Sequence, residues 1–530
     1  MAPPFQRLAV LGNSGVLCAA RGPQILTFNT EGQAVSSWTH PSARATETPQ
    51  DGTADPSGDV EMNENEPPAK KRRVGDAEST TTAESDSKQE TPSSEQATNG
   101  KGQRKQRAPV AKQDHQFIIN LVATMDGSHV VAVSGQDKAL WVFEHDGAGG
   151  LSELSTRVMP KRPSSIDITS DGKTIVCADK FGDVYSLPLV SGQSASNEAE
   201  NGSEAPSSTQ TATAQGKLRI VSKKGANELT VHSKRNLRAL EEQRRRKEQL
   251  KDMPKEGPDF EHNLLLGHVS MLTGILSVVV DSRPYLLTAD RDEHIRISRG
   301  IPQSHIIEGF CLGHTSFVNA LCIPNTRPDV LVSGGGDKEL YVWKWLENQL
   351  LAKVDLLSHV QEVIPGASQV AVLQLLSYKP GNSEKTCIIA VCEKVPAIFV
   401  FNLAQDGLNF VQTIKTLANP LDAVVLQKDG GQQLLVVGVD SDHEQHSLVA
   451  YEHDPSNSGW TAEPTSPFDC GKAESGSGPE VSREDLDRLL YTVENLRKTD
   501  MDEAGEDDGG VSTSVQPDDS KGTTPAVEAA

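Results

Sequence analysis

The feature that most limits how this chain can fold is an internal repeat. LLGHVSMLTGILSVVVDSRPYLLTADRDEHIRIS starts at Leu265, and CLGHTSFVNALCIPNTRPDVLVSGGGDKELYVWKW starts at Cys311. Their Gly-His pairs, Gly267-His268 and Gly313-His314, lie 46 residues apart, and Asp292 and Asp337 lie 45 apart. A third copy, HVVAVSGQDKALWVFEHD, carries Asp137 and the run Trp141 to Phe143. A fourth, KTIVCADKFGDVYSLPL, is degenerate, with Phe181 where the others have Asp. Within each copy, short runs of Val, Ile, Leu and aromatic residues are divided by Gly, Asp, Asn and Ser, the pattern of strands and tight turns. A period of about 45 residues built from such strands marks a repeated unit of several strands.

The repeat cannot extend over all 530 residues. Only 36% of them are hydrophobic and 4% aromatic, with a mean hydropathy of −0.43, too little apolar surface to offset ordering entropy along the whole chain. Three stretches are predicted to be disordered. These are 41–112, rich in Thr, Glu, Ser, Pro and Lys; 191–258, a polar tract that becomes basic; and the acidic tail 466–530. Three blocks remain, 1–40, 113–190 and 259–465, and together they read as all-β. Their roughly 325 residues hold about seven units of roughly 45.

The net charge of −22 is uneven, since residues 471–530 alone contain 15 acids and 6 bases. The global acidity therefore does not exclude a local nucleic-acid contact. No apolar run reaches the roughly 18 residues of a membrane helix, and MAPPFQRLAV lacks a signal-peptide pattern, so neither a membrane span nor secretion is expected. The seven cysteines include no CxxC pair. They read as small buried hydrophobes in a reduced intracellular protein, not as a disulfide framework or a zinc site.

A Gly-His pair near the start of a unit and an Asp…Trp ending resemble the WD-repeat family. That resemblance implies a β-propeller of seven blades. It also implies a hydrogen-bonded chain through His314, Ser333, Asp337 and Trp343 that ties one blade together, with His268 and Thr288 as the matching residues one copy earlier. The block LLGHVSML…LLTADRDEHIRIS…CLGHTSFVNALC, above all ADRDEHIRIS, further resembles the non-catalytic WD-repeat subunit of tRNA (guanine-N7)-methyltransferase, in its fungal form. Ser298 departs from an ordinary blade, standing where Trp is usual. This resemblance implies a heterodimer. A separate catalytic subunit would hold S-adenosylmethionine and methylate N7 of a guanine in the tRNA variable loop, with tRNA present in the complex. The propeller would dock on that subunit and stabilise it, without a cofactor of its own. No strand–GxGxG–helix element occurs in the chain, and Gly334 to Gly336 read as a turn before Asp337.

Asp290, Arg291, Asp292, Glu293, His294 and Arg296 place six ionisable groups in seven positions. Asp292 aligns with Asp337 and is expected to serve the blade's own turn. Arg296 lies between Ile295 and Ile297 in an alternating strand. Its side chain, with Glu293 and His294, is expected to point towards solvent or a partner, and Arg296 then Arg291 are the leading candidates for a charged contact with the catalytic subunit. In PPAKKRRVGD, Lys70, Lys71, Arg72 and Arg73 read as a nuclear localisation signal. KRNLRALEEQRRRKEQLK, 234–251, reads as a solvated, partly helical basic insertion. In the tail, Ser482-Arg-Glu-Asp485 forms a capping box before Leu486, Leu489, Leu490, Val493 and Leu496, a short helix that docks on the propeller or on a partner. Two other classes of function stand beside the main reading. One is a WD scaffold in another nuclear assembly, such as ribosome biogenesis; the other is an enzyme at the propeller mouth, for which no catalytic constellation stands out.

Overall fold

The computed structural model describes residues 2–12, 15–44, 116–190, 260–381, 383–428, 431–441, 447–454, 459–465, 468–469 and 481–498. The described strands are runs of Val, Ile, Leu, Ala and Cys with β-branched side chains prominent, which suit a pleated surface packed on both faces. They form seven antiparallel sheets of four, each built from consecutive strands. The sheets are β1 to β4 (Phe5–Leu11, Val16–Arg21, Gln24–Phe28, Ala34–Thr39) and β5 to β8 (Ile118–Ala123, His129–Ser134, Ala139–His145, Leu151–Val158). Next come β9 to β12 (Pro163–Ile168, Thr174–Asp179, Asp183–Pro188, Asn263–Gly267) and β13 to β16 (Leu272–Val280, Arg283–Asp290, Ile295–Arg299, Ile307–Cys311). β17 to β20 cover Val318–Cys322, Val330–Gly335, Glu339–Lys344 and Gln349–Asp355. β21 to β24 cover Val372–Tyr378, Cys387–Cys392, Ala397–Leu403 and Leu408–Lys415, and β25 to β28 cover Pro420–Gln427, Gln433–Val439, Leu448–Asp454 and Gly459–Trp460. The first strand of each sheet touches the first strand of the next, and β25 touches β1, which closes a seven-bladed propeller. Closure leaves no long sheet edge inside the ring.

The apolar core is divided among the joints between blades. Leu11, Ile25 and Trp38 of the first blade pack on Ile118, Trp141 and Phe143 of the second. Val332 and Val342 of the fifth pack with Ile388 and Phe399 of the sixth. Leu17, Leu26 and Phe28 close the ring against Leu434 and Val436 of the seventh. A blade's inner strands are thus covered on both faces. Cys18, Cys177, Cys311, Cys322 and Cys392 lie in this core, where burial pushes their thiols up to about 12.

A second, polar system runs around the ring. At each of the seven joints, a side chain of one first strand bonds the backbone of the next. Arg7 Nε donates to the Ile119 carbonyl at 2.6 Å, and Asn120 to that of Ser164 at 3.3 Å. Asp167 accepts from the Ser277 amide at 2.6 Å, and Thr273 donates to the Val318 carbonyl. Asn319 donates to the Val372 and Leu373 carbonyls at 3.1 Å, and Gln374 bonds both polar groups of Ala423. Asp422 completes the circuit by accepting from the Leu8 amide at 2.8 Å.

The third blade is completed across the insertion, since Ser186 of β11 pairs with Asn263 of β12. Lys70 to Arg73, the 234–251 segment and most of the acidic tail lie outside the described residues. One part of the tail does not. Ser482 caps the helix Arg483–Leu490, accepting from the Asp485 amide at 3.2 Å. Val481 and Leu486 pack on Phe117 at the entry to the second blade. The tail helix therefore docks on the propeller itself.

Candidate docking face on the fourth blade

The turn from a blade's second to third strand and the connection to the next blade emerge at the same end of the antiparallel strands. On this loop face the blade networks lie. In the fifth blade, Trp343 Nε1 donates to Ser333 Oγ at 2.8 Å, Ser333 lies 2.8 Å from His314 Nε2, and His314 Nδ1 lies 2.8 Å from Asp337 Oδ2. Thr315 adds its amide to Asp337 at 3.0 Å. Burial pushes the Asp337 carboxyl up, but the hydrogen bonds from His314 and Thr315 outweigh it and hold the group below the usual carboxylate range.

The second blade carries an equivalent network that its motif spacing concealed. Trp141 donates to Ser134 at 3.1 Å, Ser134 to Asp137 at 2.5 Å, and His40 Nε2 lies 2.9 Å from Asp137. His40 belongs to the last residues before the first insertion, 97 positions from its aspartate, so no scan over a 45-residue window reaches it. In the third blade Asp179 holds the turn, accepting from the amides of Phe181 at 2.7 Å and Asp183 at 3.1 Å. Lys161 stands where the second, fourth and fifth blades have His, with Nζ 3.7 Å from Asp179 and 2.6 Å from Asp183.

In the fourth blade the structure corrects two expectations. The network aspartate is Asp290, not Asp292. His268 Nε2 lies 2.9 Å from Thr288 Oγ1, and its Nδ1 lies 3.5 Å from Asp290. Asp290 Oδ1 also accepts from the amides of Asp292 at 2.9 Å and His294 at 3.0 Å. Asp290 follows Thr288 by two positions, whereas Asp337 follows Ser333 by four, so matching aspartates by the 45-residue interval selected the wrong one. Burial raises the Asp290 carboxyl, and the His268 and His294 hydrogen bonds outweigh it, leaving the group below its ordinary value.

The second correction concerns Arg296, which does not point to solvent. It pairs with Thr288 across β14–β15, in the position of Tyr341. It is buried, with Nε donating to Ser298 at 3.0 Å and Nη1 to the Gly267 carbonyl at 3.2 Å. Ser298 is fully buried where Trp343 stands in the fifth blade, and the guanidinium takes up its hydroxyl. The alternation rule fails because both faces of a middle propeller strand are covered. Arg296 thus supports the loop from beneath, by tying β15 to the Gly267 backbone.

What remains at the surface is the turn above Asp290. Glu293 adopts φ +73°, the left-handed conformation of a tight turn. Arg291, Asp292 and Glu293 are half-buried and His294 is exposed. Arg291 and Asp292 are already engaged within the chain: Arg291 Nε donates to the Leu496 carbonyl at 2.8 Å, and Lys498 lies 3.1 Å from Asp292. Three large apolar side chains stand exposed on the loop face of the third and fourth blades: Phe181, the residue that marks the degenerate copy, with Val269 and Leu312. The backbone at Gly182 lies against the carbonyls of His268 and Ser270, which sets the turn after Phe181 beside the segment that carries Val269. Among the described residues, no cluster of His, Cys, Asp or Glu is arranged to hold a metal ion.

The fold and its blade networks define a WD-repeat propeller. The family described as the tRNA methyltransferase TRM82 WD40 domain matches residues 17–460, and the chain belongs to that family. It is similar to the tRNA (guanine-N(7)-)-methyltransferase non-catalytic subunit trm82 of Sclerotinia sclerotiorum, 38% identical over 94% of this chain and 99% of that protein. The same-named subunit of Aspergillus clavatus is 38% identical over 94% of this chain and 98% of its own length. That of Debaryomyces hansenii is 26% identical over 74% and 76%.

Proposed function

We propose that this chain is the non-catalytic subunit of a tRNA (guanine-N7)-methyltransferase. The fourth-blade loop face docks a separate catalytic subunit, which binds S-adenosylmethionine and transfers its methyl group to N7 of a guanine in the tRNA variable loop. Arg291, Asp292, Glu293 and His294 form the polar part of the contact, and Arg296 holds them from below. The heterodimer works on tRNA in the nucleus, with Lys70, Lys71, Arg72 and Arg73 as the import signal. The observation that carries this reading is the turn itself. Asp290 fixes two of its amides, and Arg296 with Ser298 replaces the aromatic pair of the fifth blade, giving a surface that is preorganised and unlike its neighbours. Family membership and the names of its relatives support the same conclusion.

The test is purification of the tagged full chain from native extract, with mass spectrometry and assay of tRNA N7-methylguanine. A methyltransferase subunit should copurify with wild type and be reduced at least tenfold with Arg291→Glu, since a reversed charge in a desolvated contact costs about 2–5 kcal/mol. Absence of any methyltransferase subunit from wild-type preparations, or methyl transfer by this chain alone, overturns the proposal.

A further inference from the structure

The tail segment Val481–Lys498 crosses the loop face as a strap. Its helix begins against Phe117 at the second blade. On the seventh blade, Arg483 Nη1 donates to the buried Asp440 at 2.9 Å, its Nη2 closes a second bond to the same carboxylate, and Tyr491 donates its hydroxyl there too. On the sixth blade the amides of Val493 and Glu494 donate to the two oxygens of Glu393 at 2.8 and 2.7 Å. Arg497 then spans the next joint. It donates to the Gly336 carbonyl at 2.9 Å and Ser316 Oγ at 3.2 Å on the fifth blade, and to the Val370 carbonyl at 3.1 Å at the entry to the sixth. The strap ends on the fourth blade, at Arg291 and Asp292.

We infer that the end of this strap is the second half of the docking face, and that the catalytic subunit reads the fourth-blade turn and the strap together. The inference rests on the function proposed above. Three observations lead to it. The strap's last contacts fall on two residues of the proposed interface. Its upstream anchors are multiple and buried, so the end is held in place and not poised to leave. Finally, the Arg291 guanidinium, a long and mobile group, is oriented by the Leu496 carbonyl before any partner arrives. Ordering such a side chain in advance removes part of the entropy cost of association. The strap therefore raises affinity by preorganisation and adds Asn495 and Lys498 to the surface presented.

The experiment compares full-length Arg497→Ala and Lys498→Ala with wild type and with Arg291→Glu. It reads affinity for the purified catalytic subunit, melting temperature, and amide exchange over residues 290–294. Arg497→Ala and Lys498→Ala should each weaken binding about three- to tenfold, the scale of one or two immobilised side chains. Exchange in the turn should quicken while the melting temperature stays within a few degrees. If Arg497→Ala melts the ring, Lys498→Ala, whose ion pair is with the half-exposed Asp292, decides the matter. Unchanged affinity in the strap variants alongside a loss in Arg291→Glu overturns the composite face and leaves the proposed function standing. Tighter binding overturns it as well, because the strap would then compete with the partner. No effect of any of the three, Arg291→Glu included, overturns the composite face and the fourth-blade docking site together, whereas failure of the wild-type chain to bind the catalytic subunit overturns the proposed function.

Discussion

At Arg296 a single side chain does what two aromatic rings do one blade later. Its guanidinium satisfies Ser298 and the Gly267 carbonyl, and burial lowers its affinity for the proton. Arg296→Glu should therefore damage the fold before it damages any contact. It buries a carboxylate against a carbonyl oxygen and strands Ser298, at a cost of about 2–4 kcal/mol. Chemical denaturation reads this directly, and a wild-type midpoint would refute the buried placement. The neighbouring aspartates separate the two roles cleanly. Asp290→Ala removes the acceptor for two amides and for His268, costing about 2–3 kcal/mol. Asp292→Ala should change stability by no more than about 0.5 kcal/mol, as befits a half-exposed residue, while weakening the partner complex. Equal losses of stability in both would return the network role to Asp292. The composition of the site was thus readable from ADRDEHIRIS, but the direction of each side chain was not. Direction depends on what covers the strand, and in a propeller that is the next blade.

At the scale of elements, the strands of the first, second, fourth and fifth blades follow visibly from runs such as VLCAA, HVVAVS and YVWKW. The third blade was harder to read. Its fourth strand, Asn263–Gly267, lies beyond the second insertion, and its network lysine, Lys161, breaks the His pattern. The pairing of Ser186 with Asn263 brings the two ends of that insertion to one hairpin position. Excising most of the intervening chain should then cost the blade nothing. Replacing 192–257 with an eight-residue Gly/Ser linker shortens the loop between Ser186 and Asn263 by about two halvings, worth about 0.6 kcal/mol each. Stability should be unchanged or raised by up to about 1 kcal/mol, measured by denaturant titration. A loss beyond about 2 kcal/mol would show that the insertion contributes to the fold. The tail helix was legible from its cap and apolar spacing, but its receiving surface was not. Asp440, Glu393 and Gly336 are brought to one face only when the ring closes.

Across the whole molecule, closure is the step on which everything else depends, and the chain achieves it without exchanging a strand between the first and last blades. Each of those blades uses four consecutive strands, so the seam is held by side chains and by one short backbone bridge. Leu17 and Phe28 pack on Leu434 and Val436, the segment after the seventh blade pairs Asp469 with Gln33, and Asp422 accepts from Leu8. Asp422 is buried, and burial pushes its carboxyl up to about 6, against smaller lowering effects of Arg7 and the backbone amides. Asp167 at the joint of the third and fourth blades is raised to about 6 in the same way. A carboxyl that holds its proton more tightly when folded favours the folded state at low pH. That advantage is lost as pH rises from about 4 to about 6. Above pH 6 the folded protein carries the full cost of a buried carboxylate. Asp422→Asn keeps one acceptor and loses the charge, so it sacrifices a hydrogen bond at every pH but escapes the titration. Relative to wild type, its penalty should be smaller at pH 8 than at pH 5 by about 1 kcal/mol, from about 1.4 kcal/mol per pKa unit between pH 5 and about 6. Denaturant midpoints of both proteins at the two pH values give the difference. A penalty that is equal at both, or larger at pH 8, would mean that Asp422 is ionised throughout and that the seam is held by an ion pair with Arg7.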